Sequence, residues 1–135
     1  MISVDTNIVV RVLTDDDPVQ TAQARAVLAA EPIWIAKTVL LETAWVLRRV
    51  YGLDGPAVLV AFDHLIALEN VLVEDEPAVF GALALMAHGI DFADAFHLAS
   101  RPAGAMFLSF DRSFVRRARR AGVNRIDGVP ECGTA

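Results

Sequence analysis

Apolar and polar positions along the chain fall into short apolar runs separated by longer amphipathic segments. The runs at residues 2–4, 33–36, 71–73 and 105–110 are too short for typical helices and predict strands. Segments with helical periodicity lie between them. This alternation is typical of strand–helix units that build a mainly parallel sheet. The sequence therefore predicts the α/β class.

Capping residues and glycines predict where the helices begin and end. Asp17 is expected to cap a helix that starts at Pro18, and Asp91 to cap the helix that follows it, while Gly52 and Gly89 are expected to end the helices before them. The helices are predicted at residues 8–13, 18–30, 38–51, 56–68, 77–88 and 92–100, with an arginine-rich one ending at Gly122. A last strand is predicted at residues 123–126.

Length and composition favour one domain. A chain of 135 residues with 55% hydrophobic content suits one core, predicted to span residues 1–126, with a C-terminal tail at 127–135. No apolar stretch approaches the roughly 20 residues that cross a bilayer, and charged residues interrupt the N-terminal run before a signal peptide could form. The single cysteine, Cys132, excludes an intramolecular disulfide and a four-cysteine zinc site. We therefore expect a cytoplasmic protein with no membrane contact.

Charge is unevenly distributed. Residues 112–125 contain six arginines and no acid, so this segment carries +6, which leaves −11 for the rest of a chain whose net charge is −5. A basic edge of this kind could bind a nucleic-acid backbone, although a solvated helix face is the alternative. The candidate RNA-binding residues are Arg112, Arg116, Arg117, Arg119 and Arg120.

Glu42 interrupts the apolar pattern of the predicted helix at residues 38–51. Its helical neighbours Val39, Trp45 and Val46 are apolar, which predicts that its carboxylate lies on a buried face. No Lys or Arg stands three or four positions away to neutralise it. Because a buried charge needs such compensation, Glu42 is a candidate site residue. The alternative is an ordinary glutamate that reaches solvent.

Asp94 repeats this anomaly in the helix at residues 92–100. The spacing of three places Asp91, Asp94 and His97 on one side of the helix. Asp91 is expected to be the N-cap, and thus a supporting group rather than a ligand. His97 is expected to be packed or hydrogen-bonded, because no second histidine has the matching spacing of a metal site.

Asp5 and Asp111 each follow a predicted strand. The carboxyl ends of parallel strands form the crevice where ligands bind in open α/β sheets, although each acid could also simply cap the next helix. Together with Glu42 and Asp94 they make four candidate carboxylates. Carboxylate oxygens without paired histidines or cysteines favour Mg²⁺ or Mn²⁺ over zinc or copper.

The segments that carry these acids resemble the PIN-domain ribonucleases, and among them the VapC toxins of type II toxin–antitoxin systems. They read VDTN at 4–7, LETAWVL at 41–47, DFADAFHLA at 91–99 and SFDR at 109–112. By this resemblance, Asp5, Glu42, Asp94 and Asp111 would be the catalytic and metal-binding residues. Thr6, Asn7 and Ser109 would be supporting groups, with Ser109 standing where the family often has threonine.

The resemblance implies a PIN-like three-layer α/β/α fold with a mainly parallel central sheet. It also implies a homodimer, a VapB-like antitoxin as partner, and an endoribonuclease that cleaves RNA phosphodiester bonds through metal-activated water. The arginine-rich helix could then track the RNA backbone, with Arg11 or Lys37 as further phosphate contacts.

Three other functions are the alternatives to a PIN-domain ribonuclease. A signalling receiver domain would have an acidic pair after the first strand and a lysine after the last, yet the only lysine is Lys37. A haloacid-dehalogenase-like phosphatase would have a second aspartate two residues after Asp5, where Asn7 stands. A non-catalytic PIN-fold module that binds nucleic acid or protein is the more serious alternative.

Overall fold

Short parallel strands form the framework of the fold in a computed structural model that describes residues 1–132. The strands are β1 (Ile2–Ser3), β2 (Ile33–Ile35), β3 (Val71–Val73), β4 (Phe107–Ser109) and β5 (Ile126–Gly128). Strands β1, β2 and β3 pair in that order, and β4 pairs with β5, all in parallel. The last three residues of the predicted tail, 133–135, lie outside the described residues.

Seven helices connect and cover these strands in the described part of the chain. They are α1 (Thr6–Thr14), α2 (Pro18–Ala30), α3 (Lys37–Arg49), α4 (Gly55–Ile66), α5 (Glu76–Ala87), α6 (Phe92–Ala99) and α7 (Arg112–Arg120). All but α3 begin with an aspartate whose side chain accepts a backbone N–H of the first turn. Such caps satisfy amides that the helix itself leaves without partners. None of the helices in residues 1–132 combines the length and apolar character needed to cross a membrane.

The core is centred on β2, the middle strand of the larger sheet. Ile33 and Ile35 are almost fully buried there, as are Leu40 and Leu47 of α3 and Phe62 of α4. The smaller sheet is covered by α7: the ring of Phe114 stands edge-to-face against Phe107 of β4, with centroids 5.9 Å apart. The strand ends that carry Asp5 and Asp111 are therefore anchored by packed layers.

The α/β class with parallel strands is confirmed, and most element bounds agree with the sequence within two residues. The last strand is the exception, because it runs from Ile126 to Gly128 rather than over 123–126. Residues 123–125 instead link α7 to β5. The N–H of Val123 donates to the carbonyl of Ala118 at the end of α7, and Arg125 adopts a positive φ of 54°. Residues 127 and 128, predicted to begin the tail, therefore belong to a strand. The division into a domain of 1–126 and a tail stays a prediction.

Candidate active site

The two strand-end acids are exposed N-caps. Asp5 follows β1, and its Oδ1 accepts the N–H of Ile8 at 3.4 Å. Asp111 follows β4, and its Oδ1 accepts the N–H of Phe114 at 3.0 Å. The hydroxyl of Ser109 accepts the N–H of Asp111 at 3.0 Å and so fixes its backbone. In both acids Oδ2 has no hydrogen-bond partner among residues 1–132, so capping leaves one oxygen of each available to a ligand.

Asp94 lies half-buried in the first turn of α6. Burial raises the pKa of its carboxyl, the negative charges of Asp91 and Asp111 raise this pKa further, and His97 acts in the opposite direction. Its carboxylate has no hydrogen bond or ion pair to any residue in 1–132. The fold thus keeps an acid in surroundings that disfavour its charge.

The structure corrects the expectation that Glu42 lies on a buried face. Its side chain is exposed, and so is Trp45, with 53% of its surface accessible. The buried stripe of α3 consists of Leu40, Thr43, Ala44 and Leu47. Glu42 is two positions, or about 200°, from Leu40 around the helix, so its apolar neighbours did not define the core face.

The structure brings only some of the predicted acids close to one another. Asp94 interacts electrostatically with Asp91 and Asp111, and α3, which carries Glu42, packs against both α1 and α6. Asp5 lines a separate cleft between α1 and α2. Within residues 1–132, no three Asp, Glu, His or Cys side chains are arranged to hold a metal ion together. The complete quartet therefore stays a prediction.

Comparison with known protein families matches residues 2–120 to the PIN domain. The chain belongs to the PIN domain family. The matched region contains all four candidate acids and ends with α7. PIN domains are generally nucleases, that is, hydrolases that act on nucleic acids and use divalent metal ions. A comparison with curated proteins gives no match.

The acids of this PIN domain suit a divalent cation chemically. Asp94 and Asp111 supply hard oxygen donors, and a cation would relieve the repulsion that, after burial, raises the pKa of Asp94. The supporting groups differ in position. Thr6 is buried, whereas Asn7 is exposed and lines the same cleft as Asp5. Asp91 caps α6, as expected, by accepting the N–H of Ala93 at 3.3 Å.

Neither Arg11 nor Lys37 is a free phosphate contact. Arg11 donates to Asp16 at 3.0 Å and to the hydroxyl of Tyr51 at 3.1 Å. Lys37 forms an ion pair of 3.0 Å with Asp75. Their predicted role in binding RNA is unsupported, because binding phosphate would require them to leave these partners.

The arginines of α7 point in different directions. Arg112 and Arg116 line a groove with Leu108 of β4, and Arg119, in the same groove, forms an ion pair of 3.0 Å with Asp127. Arg117 instead donates to the carbonyl of Gly89 at 3.1 Å, beside the N-terminus of α6. Arg120 has no hydrogen bond or ion pair to any other residue in 1–132.

Sequence reasoning overlooked a set of exposed residues on α3. Trp45, Arg48 and Arg49 line a cleft together with Asp91, next to the acidic site. These residues lie outside the buried stripe of α3 at positions 40, 43, 44 and 47. The helical periodicity of the sequence could therefore have indicated that they are exposed.

Proposed function

We propose that this PIN domain is a Mg²⁺- or Mn²⁺-dependent endoribonuclease and the toxin of a toxin–antitoxin pair. The observation that carries the nuclease assignment is Asp94: a half-buried acid that lies near two others and lacks a cationic partner within residues 1–132. A structural acid in such surroundings would normally be paired. An acid that binds a cation instead has no such partner until the ion is bound.

Asp5, Glu42, Asp94 and Asp111 would hold the ion. When bound, a divalent cation supplies positive charge at the scissile phosphate and lowers the pKa of nearby water. The role of the chain is to fix the donors. The hydrogen bonds of Ser109 and Phe114 hold Asp111 at the end of β4, and α6 holds Asp94 beside it.

Hydrolysis would proceed by in-line attack of water on phosphorus. The water oxygen bonds to phosphorus, the bond to O3′ breaks, and O3′ takes up a proton. The products would carry a 5′-phosphate and a 3′-hydroxyl. Arg112, Arg116 and Arg120 have no ion pair within the described residues, which suits contact with the RNA backbone. Arg117 and Arg119 would join them through donors that their backbone and Asp127 contacts leave free.

Two protein partners belong to this proposal. Exposed apolar side chains on the helices, among them Val60 and Phe80, support a homodimer. A VapB-like antitoxin would place a basic side chain near Asp94, because an acid without a cationic partner can anchor an arginine. Light scattering that shows only a 14.6 kDa species at micromolar concentration would contradict the dimer.

A non-catalytic PIN-fold binding module is the second candidate. It is favoured by one observation: Asp5 and Asp111 both have a structural duty as N-caps, which would explain their presence without catalysis.

Incubation of the purified protein with a long, end-labelled RNA tests the nuclease assignment. Cleavage should require Mg²⁺ or Mn²⁺ and stop in chelator, and the fragments should carry 5′-phosphates that a phosphate-dependent 5′-exonuclease can attack. A protein that binds the RNA with metal present and leaves it intact would instead be the binding module.

Induced expression tests the toxin role. We expect growth to stop on induction and to resume when the adjacent small gene is expressed as well. Growth unaffected by a protein that cuts RNA in vitro would contradict the toxin role and leave the nuclease assignment standing.

A further inference from the structure

The outer face of α3 leads from the acidic site to a group of cations. Glu42, Trp45 and Arg49 are spaced by three and four residues, so they share one side of the helix. With a rise of about 1.5 Å per residue, Glu42 and Arg49 lie about 10 Å apart along the axis. A ligand that follows this face would pass from the acid to an indole and then to a guanidinium.

Two neighbouring clefts meet at this face. One, of about 430 Å³, is lined by Trp45, Arg48, Arg49 and Asp91. The other, of about 360 Å³, is lined by Arg48 and Asp91 together with Arg117 of α7. Both volumes fall within the range of small-molecule sites. Arg48 and Asp91 belong to both clefts, so the two form one continuous surface beside α6.

Most hydrogen-bond donors of the arginines on this surface have no partner among residues 1–132. Arg48 and Arg49 have no hydrogen bond or ion pair with any residue in 1–132. Arg117 has one hydrogen bond there, to a backbone carbonyl, and this leaves most of its donors free. Gly55 gives Arg48 room: a Cβ at this position would lie 3.3 Å from the Arg48 guanidinium.

We propose that Trp45, Arg48, Arg49 and Arg117 form a subsite for single-stranded RNA, in which the Trp45 indole stacks on an unpaired base and the guanidiniums bind phosphates. The inference rests on the proposed function, because it describes how the substrate approaches the acids. Aromatic stacking beside a basic surface is how proteins hold single strands with little sequence preference.

Charge complementarity selects RNA over a protein partner. Arg48 and Arg49 line the cleft of Trp45, and Arg117 lines the neighbouring cleft. Asp91 is the only acid among the described residues that line the two clefts. An apolar protein surface placed on Trp45 would bury these charges without partners, at a large cost in free energy. A phosphate backbone supplies a negative charge for each guanidinium, and its bases supply the flat surface for the indole.

The test measures binding of a fluorescein-labelled 12-nucleotide RNA by fluorescence anisotropy, in chelator so that the RNA is not cut. Trp45→Ala should raise Kd roughly ten-fold to hundred-fold, and Trp45→Phe should stay near the parent value because it can still stack. Arg48→Gln combined with Arg49→Gln should reduce the slope of log Kd against log salt by about 1.4, at 0.7 per phosphate contact. Arg25→Gln, which removes one exposed positive charge on α2, should leave Kd and slope unchanged.

Tryptophan fluorescence provides a second readout. The chain has only two tryptophans, and Trp34 is half-buried in β2. In a Trp34→Phe background, RNA should quench the fluorescence of Trp45. In cleavage reactions, Trp45→Ala should raise KM more than it lowers kcat.

Unchanged Kd for Trp45→Ala and for the double arginine variant would overturn the subsite, and so would an undetectable affinity of the parent for the RNA. Loss of self-association in Trp45→Ala with intact RNA binding would show a protein interface instead. RNA cleavage by the parent together with unchanged binding by the variants would refute only the subsite. Trp45-dependent RNA binding without any cleavage would support the subsite and refute the nuclease assignment.

Discussion

Asp16 and Asp94 show two different ways in which this fold treats a carboxylate. Asp16 accepts hydrogen bonds from Tyr51 at 2.6 Å, from Arg11 at 3.0 Å and from Thr14 at 3.1 Å. Asp94 has none within residues 1–132, and its nearest charged influences include two further acids. The first acid has hydrogen-bond partners among its neighbours, whereas the second has none among residues 1–132.

The pKa directions follow from these surroundings. The hydrogen bond from Tyr51 is the main cause that lowers the pKa of Asp16. Burial is the main cause that raises the pKa of Asp94. An acid with a lowered pKa stabilises the folded state above its unfolded pKa, and one with a raised pKa destabilises it there. The two acids therefore have effects of opposite sign on folding stability at neutral pH.

The largest effect is expected for Asp94→Asn, which keeps the shape of the side chain and removes its charge. RNA cleavage should fall at least about 100-fold, because the ion loses a ligand. Folding stability in chelator should stay the same or rise at neutral pH, and the difference from the parent should vanish as the pH falls through the raised pKa of Asp94.

Labelled-RNA cleavage and thermal melting from pH 3 to 8 measure both quantities. If the variant melted much earlier than the parent at neutral pH, Asp94 would be a structural residue. If it cleaved at the parental rate, the quartet assignment would be wrong.

Asp16→Asn should have the opposite profile. RNA cleavage should be close to that of the parent, while the melting temperature at neutral pH should fall by a few degrees. The reason is that Asn keeps only one acceptor oxygen, so Arg11 loses its ion pair and either Arg11 or Tyr51 loses its acceptor. The folded-state pKa of Asp16 is lowered, so its contribution is present above its unfolded pKa, about 3.9, and is lost as the pH falls through the folded value. The variant should thus approach the parent at low pH. A neutral-pH melting temperature equal to that of the parent would remove the contrast.

Asp111 is a helix cap and a proposed metal ligand, and two substitutions should separate these two roles. Asp111→Asn can still cap α7 through its amide oxygen, so its stability should be nearly that of the parent while cleavage is lost. Asp111→Ala should lose cleavage and about 1 kcal/mol of stability as well, because the N–H of Phe114 loses its acceptor. Urea denaturation of the two variants measures the difference. Equal stabilities would mean that the cap contributes nothing.

Thr43→Val should have the smallest effect. The Thr43 hydroxyl is fully buried in α3 beside Glu42, and it has no hydrogen-bond partner among residues 1–132. Valine has nearly the same shape and no polar group to bury, so the variant should be more stable by up to about 1 kcal/mol. Urea denaturation checks this, with Thr21→Val as control, because the Thr21 hydroxyl donates to the carbonyl of Arg11 at 3.2 Å. A loss of stability as large as that of the control would show that the Thr43 hydroxyl is satisfied.

Local signals in the sequence predicted most of the fold. The bounds of α2 follow from Asp17 and Pro18, and those of β3 from an isolated apolar run. The last strand was misplaced because residue 123 is apolar and looked like a strand, while its N–H is used to close α7.

The positions of Asp5 and Asp111 could be predicted because each directly follows a strand that is recognisable in the sequence. The burial of Glu42 was wrong, since apolar neighbours do not reveal which face of a helix meets the core. The hydrogen bond from Arg11 to Tyr51 could not be predicted either, because the two residues are 40 positions apart in the sequence.

Thermal melting of the parent, Asp94→Asn and Asp16→Asn in Mn²⁺ and in chelator tests whether Asp94 binds the metal ion. Ligand at 100 times its Kd stabilises a folded protein by about 2.7 kcal/mol, and this should raise the melting temperature of the parent by several degrees. We expect the same rise for Asp16→Asn from its lower starting point, and little or no rise for Asp94→Asn. An equal rise in all three proteins, or none in the parent, would show that Asp94 is not a metal ligand.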